Sequence, residues 1–378
     1  MHIIIPPLVA ASPALFIAVL SLFLPGKPTQ KTLDDHAKAI LGGTSVRPVE
    51  LQGSLSYTVV VTTEKIVSFR VSEQGLGGEL DRLAAEIHGD LAPEATNYGM
   101  IGNGEEEAKD AGQSLHVVSM PYLPGKAYYE VNWNMPLEDK GALKRQLNFN
   151  IHLARYFARV WKNPQPVAES ELQAQRVFLL GKLAILKQKP QFDYLKPHLD
   201  ELEGEGGIEY LFSQNYPQTL AHDDLSPTNV LVDEETFAIQ GIIDWSLAKV
   251  APFGWDYFAV RKFNGIAGNE NWTDYSDRPL LDKSFWEEFF GLTEISDAKK
   301  QAKLKHDAIL ATKLATIMHY CFCKTLSGTP VDFVHPEPPC YVDGWLGTSS
   351  WDDVVQPSTD DSVQPPTKVG PVTNKTES

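Results

Sequence analysis

The chain is expected to fold as an α+β protein, a small antiparallel sheet followed by a larger, mainly helical part. Three observations carry this. Strand-like runs alternate with turn signals over residues 46–71, apolar residues recur at three- and four-residue steps beyond residue 143, and Pro121 to Gly125 separates the two regimes. A hydrophobic fraction of 43% and a charged fraction of 22% in 378 residues suit a globular chain long enough for a real core and two domains.

In chain order, Val46 to Leu51, Tyr57 to Val61 and Ile66 to Val71 read as three antiparallel strands, joined at Gly53-Ser54 and at Thr62 to Lys65. Leu80, Leu83, Ala84 and Ile87 keep helical spacing between Gly77-Gly78 and Gly89, which predicts one helix. Thr96 to Ile101 and Leu115 to Met120 form a second strand pair, with Glu105, Glu106 and Glu107 at a solvated hairpin tip. Beyond the hinge near residues 120–125, Leu143, Leu147, Ile151, Ala154, Phe157 and Trp161 define one amphipathic helix, and Leu172, Val177, Leu180 and Leu183 another.

The two ends read differently. Ile3 to Leu24 carries no charge and is nominally long enough to span a bilayer, but Pro6, Pro7 and Pro13 leave only Ala14 to Leu24 as an unbroken apolar helix, short for a span. A signal peptide fits poorly, since no Lys or Arg precedes the apolar run. Residues 1–30 are therefore expected as an apolar leader, with disorder and membrane association through residues 3–24 both open. Trp351 to Ser378, rich in Pro, Ser, Thr and Asp, cannot bury enough apolar area to offset its ordering entropy and is expected as a disordered tail. Three cysteines, Cys321, Cys323 and Cys340, are too few and too clustered for a disulfide framework, which points to a reducing, cytoplasmic location. Lys and Arg total 33 against 49 Asp and Glu, a net charge of −16 that repels phosphate backbones, disfavours nucleic acid as a partner and attracts cationic small molecules.

The chemistry concentrates between residues 220 and 245. His222-Asp223-Asp224-Leu225-Ser226-Pro227-Thr228-Asn229 precedes the apolar run Val230 to Val232, and Gly241-Ile242-Ile243 precedes Asp244-Trp245. The two apolar runs read as a hairpin whose flanks bring Asp224, Asn229 and Asp244 together. Phosphoryl transfer from Mg-ATP needs such a set: a carboxylate that accepts the proton of an attacking hydroxyl, and an Asn plus an Asp that hold hard metal ions against the phosphates. The order His-x-Asp-x4-Asn, then Asp fifteen residues on, is the kinase arrangement.

On these residues the chain resembles the aminoglycoside phosphotransferase family, the small-molecule branch of the protein-kinase-like fold, and its fungal members in particular. Ser68-Phe69-Arg70, Leu123-Pro124-Gly125 and the segment Arg155 to Pro164 add to the likeness, which spans residues 40–325. The resemblance implies a bilobal fold: residues 31–122 as a nucleotide-binding N-lobe and 123–350 as a helical C-lobe holding the catalytic and acceptor sites. It implies Asp224 as the catalytic carboxylate, His222 as a brace for its loop, and Asn229 and Asp244 as Mg ligands. Arg70 would stand against the α- and β-phosphates, with Glu79 as its carboxylate partner and Glu86 as the competitor. Gly53, Ser54 and Ser56 would form the turn whose backbone amides cover the phosphates of ATP. The family usually has Gly where this chain has Asp223, and the five-residue step to Asn229 selects Asp224 as the catalytic carboxylate.

Three further groups draw notice. Asp256, in Gly254-Trp255-Asp256-Tyr257, is read as a helix cap. His319, Cys321 and Cys323 are read as core, because alternate residues on a helix point apart. The loop from Asn264 to Pro279, with Glu270, Asp274 and Asp277 among Trp272 and Tyr275, is read either as an acidic, aromatic-lined acceptor site or as an exposed surface loop. The function expected is transfer of the γ-phosphate of ATP, with Mg, to a hydroxyl of a small metabolite, a cationic one suiting the charge; GTP stays open. The alternative is a catalytically silent, nucleotide-binding scaffold, motivated by Asp223 and the glycine-poor first turn. A protein kinase is disfavoured by Trp245-Ser246 where that class has Phe-Gly.

Overall fold

The computed structural model describes residues 28–53, 55–71, 76–102, 114–132, 140–268, 271–325, 328–336 and 341–346. Residues 3–24, Ser54, Glu105 to Glu107, Glu270, Cys340 and the tail from Trp351 lie outside them. The chain divides into two units. The first takes the described residues of Met1–Met135, Asp224–Ala248 and Lys324–Thr329, and the second takes Pro136–Asp223, Lys249–Cys323 and those beyond Pro330.

The first unit holds a five-stranded sheet in which every neighbouring pair is antiparallel, in the order β1 (Arg47–Pro48), β2 (Ser56–Val60), β3 (Lys65–Arg70), β5 (Leu115–Pro121), β4 (Thr96–Ile101). Alternation sets its faces: Tyr57 and Val59 of β2, Val67 and Phe69 of β3, and Leu115 and Val117 of β5 bury one side. Helix α1 (Gln30–Leu41) covers that side with Leu33 and Ala37. Each such buried side chain is worth about 1.5–3 kcal/mol of transfer free energy. Helix α1 was not anticipated, since few of its residues are apolar. Its docking is polar as well as apolar: Tyr57 Oη donates to Asp34 Oδ1 at 2.9 Å and accepts from Gln30 Nε2 at 2.9 Å. Helix α2 (Glu79–His88) falls where periodicity placed it.

A three-stranded sheet, β6 (Lys126–Ala127), β8 (Val230–Val232) and β9 (Ile239–Ile242), explains why residues 224–248 belong with the first unit. A single cut at residue 122, as the sequence suggested, overlooks this return: Lys126 pairs with Val232 and Ala127 with Leu231. Gly125 makes the pairing possible. Its φ is +91°, and a Cβ there would lie 2.7 Å from the Val232 carbonyl oxygen.

The second unit is mainly helical. It contains α4 (Lys140–Trp161), α5 (Glu169–Lys187), α6 (Lys196–Glu203), α7 (Ile208–Leu211), α8 (Phe258–Phe263), α9 (Arg278–Thr293) and α10 (Ala298–Tyr320), numbered after the short α3 (Tyr128–Asn132) of the first unit. An aromatic layer binds α4 to α9: Phe157 meets Phe285 at 5.6 Å and Trp161 meets Phe289 at 6.4 Å, both edge-on. Strands β7 (Gln218–Ala221) and β10 (Lys249–Pro252) pair antiparallel across this core, with Ala221 opposite Lys249. The expected fold class, an antiparallel sheet first and a mainly helical remainder, is the one observed.

The expected location, cytoplasmic with membrane association left open, is corrected. Among the described residues no helix is long and apolar enough to cross a membrane, and residues 3–24 lie outside that set.

Gly125→Ala is expected to cost about 2–4 kcal/mol, because it adds both a left-handed alanine and a clash with a backbone carbonyl. Thermal unfolding measures this, and a melting temperature equal to the parent's contradicts the assignment.

Candidate active site

The loop from Ala221 to Asn229 is held at its start by buried carboxylates of the second unit. Asp256, 4% exposed, accepts the backbone N–H of His222 at 2.5 Å and that of Asp223 at 3.1 Å. Asp256 is thus an anchor for the loop rather than the helix cap expected from sequence. Gly254, at φ +94°, lets the chain before it lie against α10, since a Cβ would stand 2.5 Å from the Ala308 Cα. Burial, followed by the nearby Asp223 charge, pushes the Asp256 carboxyl up to about 6, while His222 and the two N–H donors oppose this. His222 is fully buried.

Asp223 has φ +63°, the left-handed conformation that glycine adopts without cost, which fits the usual glycine at this position in the resembled family. Its side chain is not a second solvent-facing carboxylate. It is 3% exposed, Trp255 Nε1 donates to its Oδ1 at 2.6 Å, His319 Nε2 lies 2.8 Å from that oxygen and Lys249 Nζ 2.8 Å from it. His319 therefore serves this cluster, and among the described residues no group of three or more His, Cys, Asp or Glu gathers as a metal site.

From Asp224 onward the loop belongs to the first unit. Asn229 Nδ2 donates to the Asp224 backbone oxygen at 2.9 Å and to its carboxylate Oδ2 at 3.0 Å. The Asn229 carbonyl accepts from Ile243 N–H at 2.9 Å, and Val230 pairs with Ile242, so the hairpin fixes the spacing of Asp224, Asn229 and Asp244 as expected. Tyr129 N–H ties the loop to α3 through the Pro227 oxygen at 2.9 Å. Asp244 also has a left-handed φ, +63°, and its Oδ1 accepts from Ser246 Oγ at 2.7 Å. Trp245, buried beneath, donates to the Ile242 oxygen at 2.9 Å.

Arg70, at the end of β3, forms its ion pair with Asp244 at 2.9 Å. The expected pair with Glu79 is corrected, as is the competing one with Glu86. Both glutamates are exposed, whereas Asp81, two residues and 200° further round α2 than Glu79, is 2% exposed. Burial pushes the Asp81 carboxyl up to about 6; the Gly77 N–H it accepts and the Arg70 charge oppose that rise, and Asp244 adds to it. In the sequence Asp81 is masked by the apolar stripe at Leu80, Leu83, Ala84 and Ile87. The signal was there, since Asp81 shares a face with Ala84 and His88, both buried.

The first turn also differs from expectation. Ser56 is a buried strand residue paired with Arg70, not part of the turn, and Ser54 lies outside the described residues. Gln52, which no sequence argument singled out, closes the turn: its carboxamide accepts the Thr58 N–H at 2.8 Å and donates to the Thr58 and Val49 oxygens at 2.9 and 3.0 Å. Gly53 remains in the turn; a Cβ there would lie 2.5 Å from Ser56 Oγ, which would have to turn aside. The loop from Asn264 is a hairpin, β11 (Gly265–Ala267) against β12 (Trp272–Asp274). Its Asp274 is neutralised by the buried Arg261 at 3.0 Å and by Arg278 at 3.3 Å, which weakens the reading of this loop as an acidic trap for cations.

A family model described as the phosphotransferase enzyme family matches residues 83–282, more than half of the chain, and the chain belongs to that family. No curated protein matches it. Among solved structures it is similar to the GDP complex of aminoglycoside 2'-phosphotransferase-IIIa, with 15% identity over 77% of this chain and 91% of that one and a TM-score of 0.45. It is similar to aminoglycoside-3'-phosphotransferase of type VIII, with 17% identity over 74% and 98% of the two chains and a TM-score of 0.43. The Plasmodium vivax ethanolamine kinase gives 12% identity over 83% and 88% and a TM-score of 0.45.

Asp256→Ala removes the carboxylate to which two buried N–H groups donate and is expected to cost about 2–5 kcal/mol. Because the folded chain holds the Asp256 proton more tightly than the unfolded chain does, the stability it contributes at low pH is lost as pH rises from about 4 to 6. Asp256→Asn does not titrate, so its stability relative to the parent is expected to rise by about 2 kcal/mol between pH 4 and 7. Denaturant melts at several pH values measure this, and a pH-independent difference contradicts it.

Proposed function

We propose that this phosphotransferase moves the γ-phosphate of ATP, in the presence of Mg, to a hydroxyl group of a small metabolite. The observation that carries the proposal is the coupling of Asp224, Asn229 and Asp244 through one hairpin, with the Arg70 guanidinium 2.9 Å from Asp244. Asp224, half-buried and held by Asn229 Nδ2, is the group that orients the acceptor hydroxyl and takes its proton. Arg70 supplies the positive charge that a triphosphate needs at this position, and its Nε, buried and without a partner among the described residues, leaves a donor for a phosphate oxygen. His222 contributes through its backbone, which Asp256 holds.

The donor set fits Mg. The Asn229 side-chain oxygen and the Asp244 carboxylate are hard oxygen ligands, and Mg is usually bound by one or two such groups together with phosphate oxygens and water. Held by these two residues, such an ion would supply positive charge against the charge that develops on the transferring phosphate. The net charge of −16 favours a cationic acceptor, such as an amino-alcohol or amino sugar.

The alternative of a silent scaffold drew on Asp223 and the first turn. The engagement of Asp223 by Lys249, Trp255 and His319 takes away the first of these supports, because Asp223 does not compete with Asp224 for the solvent-facing role. Asp224→Asn is expected to lower turnover by roughly two to four orders of magnitude while leaving ATP affinity within about threefold. Mg-dependent ADP release across amino-alcohols, amino sugars and hydroxylated natural products measures this. Full turnover in the variant would move the base elsewhere, and acceptor-independent behaviour of the parent with tight nucleotide binding would favour the scaffold.

A further inference from the structure

The segment that carries Asp224, Asn229 and Asp244 leaves the second unit after Asp223 and returns to it at Lys249. The residues at these two crossings are ion-paired, Lys249 Nζ to Asp223 Oδ1 at 2.8 Å. We propose that Asp223 and Lys249, steadied by Trp255 and His319, form a clamp that closes the base of residues 224–248 and so positions Asp224 and Asp244 for phosphoryl transfer. The inference rests on the phosphotransfer reading of those two carboxylates. Asp223 and Lys249 act through the backbone and are positioning residues.

Register places the clamp where backbone pairing stops. The β7–β10 ladder ends with Ala221 opposite Lys249, and Asp223 lies two residues further along the chain, so the ion pair adds a rung that the main chain does not supply. Chemistry makes it specific. The Asp223 carboxylate is buried, and its Oδ1 also meets the indole N–H of Trp255 at 2.6 Å and the His319 ring nitrogen at 2.8 Å. Lys249 Nζ sits 4.5 Å from the Trp255 ring centre, so the same indole holds the ammonium by its face and the carboxylate by its edge. His319 is set in turn against Phe258, ring centres 5.2 Å apart.

Charge balance explains why the clamp contains a cation. Asp223 and Asp256 are both buried around the His222–Asp223 backbone, and two carboxylates there repel unless a positive group stands beside one of them. Lys249 is that group. Glycine would satisfy φ +63° at this position but would leave the two crossings joined by backbone alone. Aspartate accepts the left-handed conformation and ties one loop end to the other.

The test uses the full chain with Asp223→Gly, Lys249→Met, the double variant and Lys249→Arg. Two quantities are read: kcat and KM for ATP with an accepted hydroxyl substrate, and hydrogen exchange of the amides from His222 to Asn229. Asp223→Gly keeps the turn and removes the clamp, so kcat is expected to fall about 10- to 100-fold with KM for ATP within about threefold, the signature of misplaced groups rather than lost binding. Lys249→Met is expected to do the same, the double variant no more than either single one, and Lys249→Arg to recover most of the rate. Exchange in the loop is expected to quicken about tenfold in both single variants. Should Asp223→Gly fail to fold, Lys249→Met carries the test alone, its side chain being 37% exposed. Parental kcat and exchange in folded variants, or losses that simply multiply in the double variant, overturn the clamp. If the parent transfers phosphate to no acceptor, the phosphotransfer reading fails by itself, and loop exchange then decides the clamp: faster in both variants upholds it, unchanged overturns it.

Discussion

The carboxylate of Asp256 fixes the backbone from which the rest of the site is built. It takes the amide protons of His222 and Asp223 inside the second unit, and the chain then passes directly to Asp224. Burying a carboxylate is costly, and charge-assisted hydrogen bonds from two backbone N–H groups offset that cost. The upward push on its pKa shows that the offset is incomplete. Such a group persists because the loop conformation, including φ +63° at Asp223, depends on it.

From this anchor the functional groups are placed by pairing rather than by packing alone. The β8–β9 hairpin sets the distance from Asn229 to Asp244, and its pairing with β6 carries both into the first unit, where Arg70 meets Asp244. Positive and negative groups are matched on each side: Arg70 with Asp244 and the nearby Asp81 in one unit, Lys249 with Asp223 in the other. Each charge therefore orients a neighbour. Membership of the phosphotransferase enzyme family agrees with this economy of charge, in which catalysis relies on position and electrostatics.

Much of this was legible in the sequence, and the misses have common causes. Strands β2 to β5 and helices α2, α4 and α5 follow period-two and period-3.6 patterns strong enough to read directly. The hairpin that joins Asn229 to Asp244 was legible because two short apolar runs flank a turn. Helix α1 was missed because its buried residues, Leu33 and Ala37, are too few to make a stripe. Glu79 and Glu86 were the expected partners of Arg70, and sequence alone does not tell which carboxylate the helix turns inward. The partners of Asp223 were out of reach for another reason: Lys249, Trp255 and His319 come from three separate places in the chain, and only the fold brings them to one oxygen. Gln52 belongs with them, since its work of closing the first turn leaves no compositional trace.

The segment from His222 to Asp244 is proposed as a metal–nucleotide site. Calorimetric titration of the full chain with ATP, with and without Mg, tests this, with Asp244→Asn as the comparison. Binding is expected to tighten at least tenfold with Mg in the parent and to lose that response in the variant. ATP binding that ignores both the metal and the substitution would contradict it.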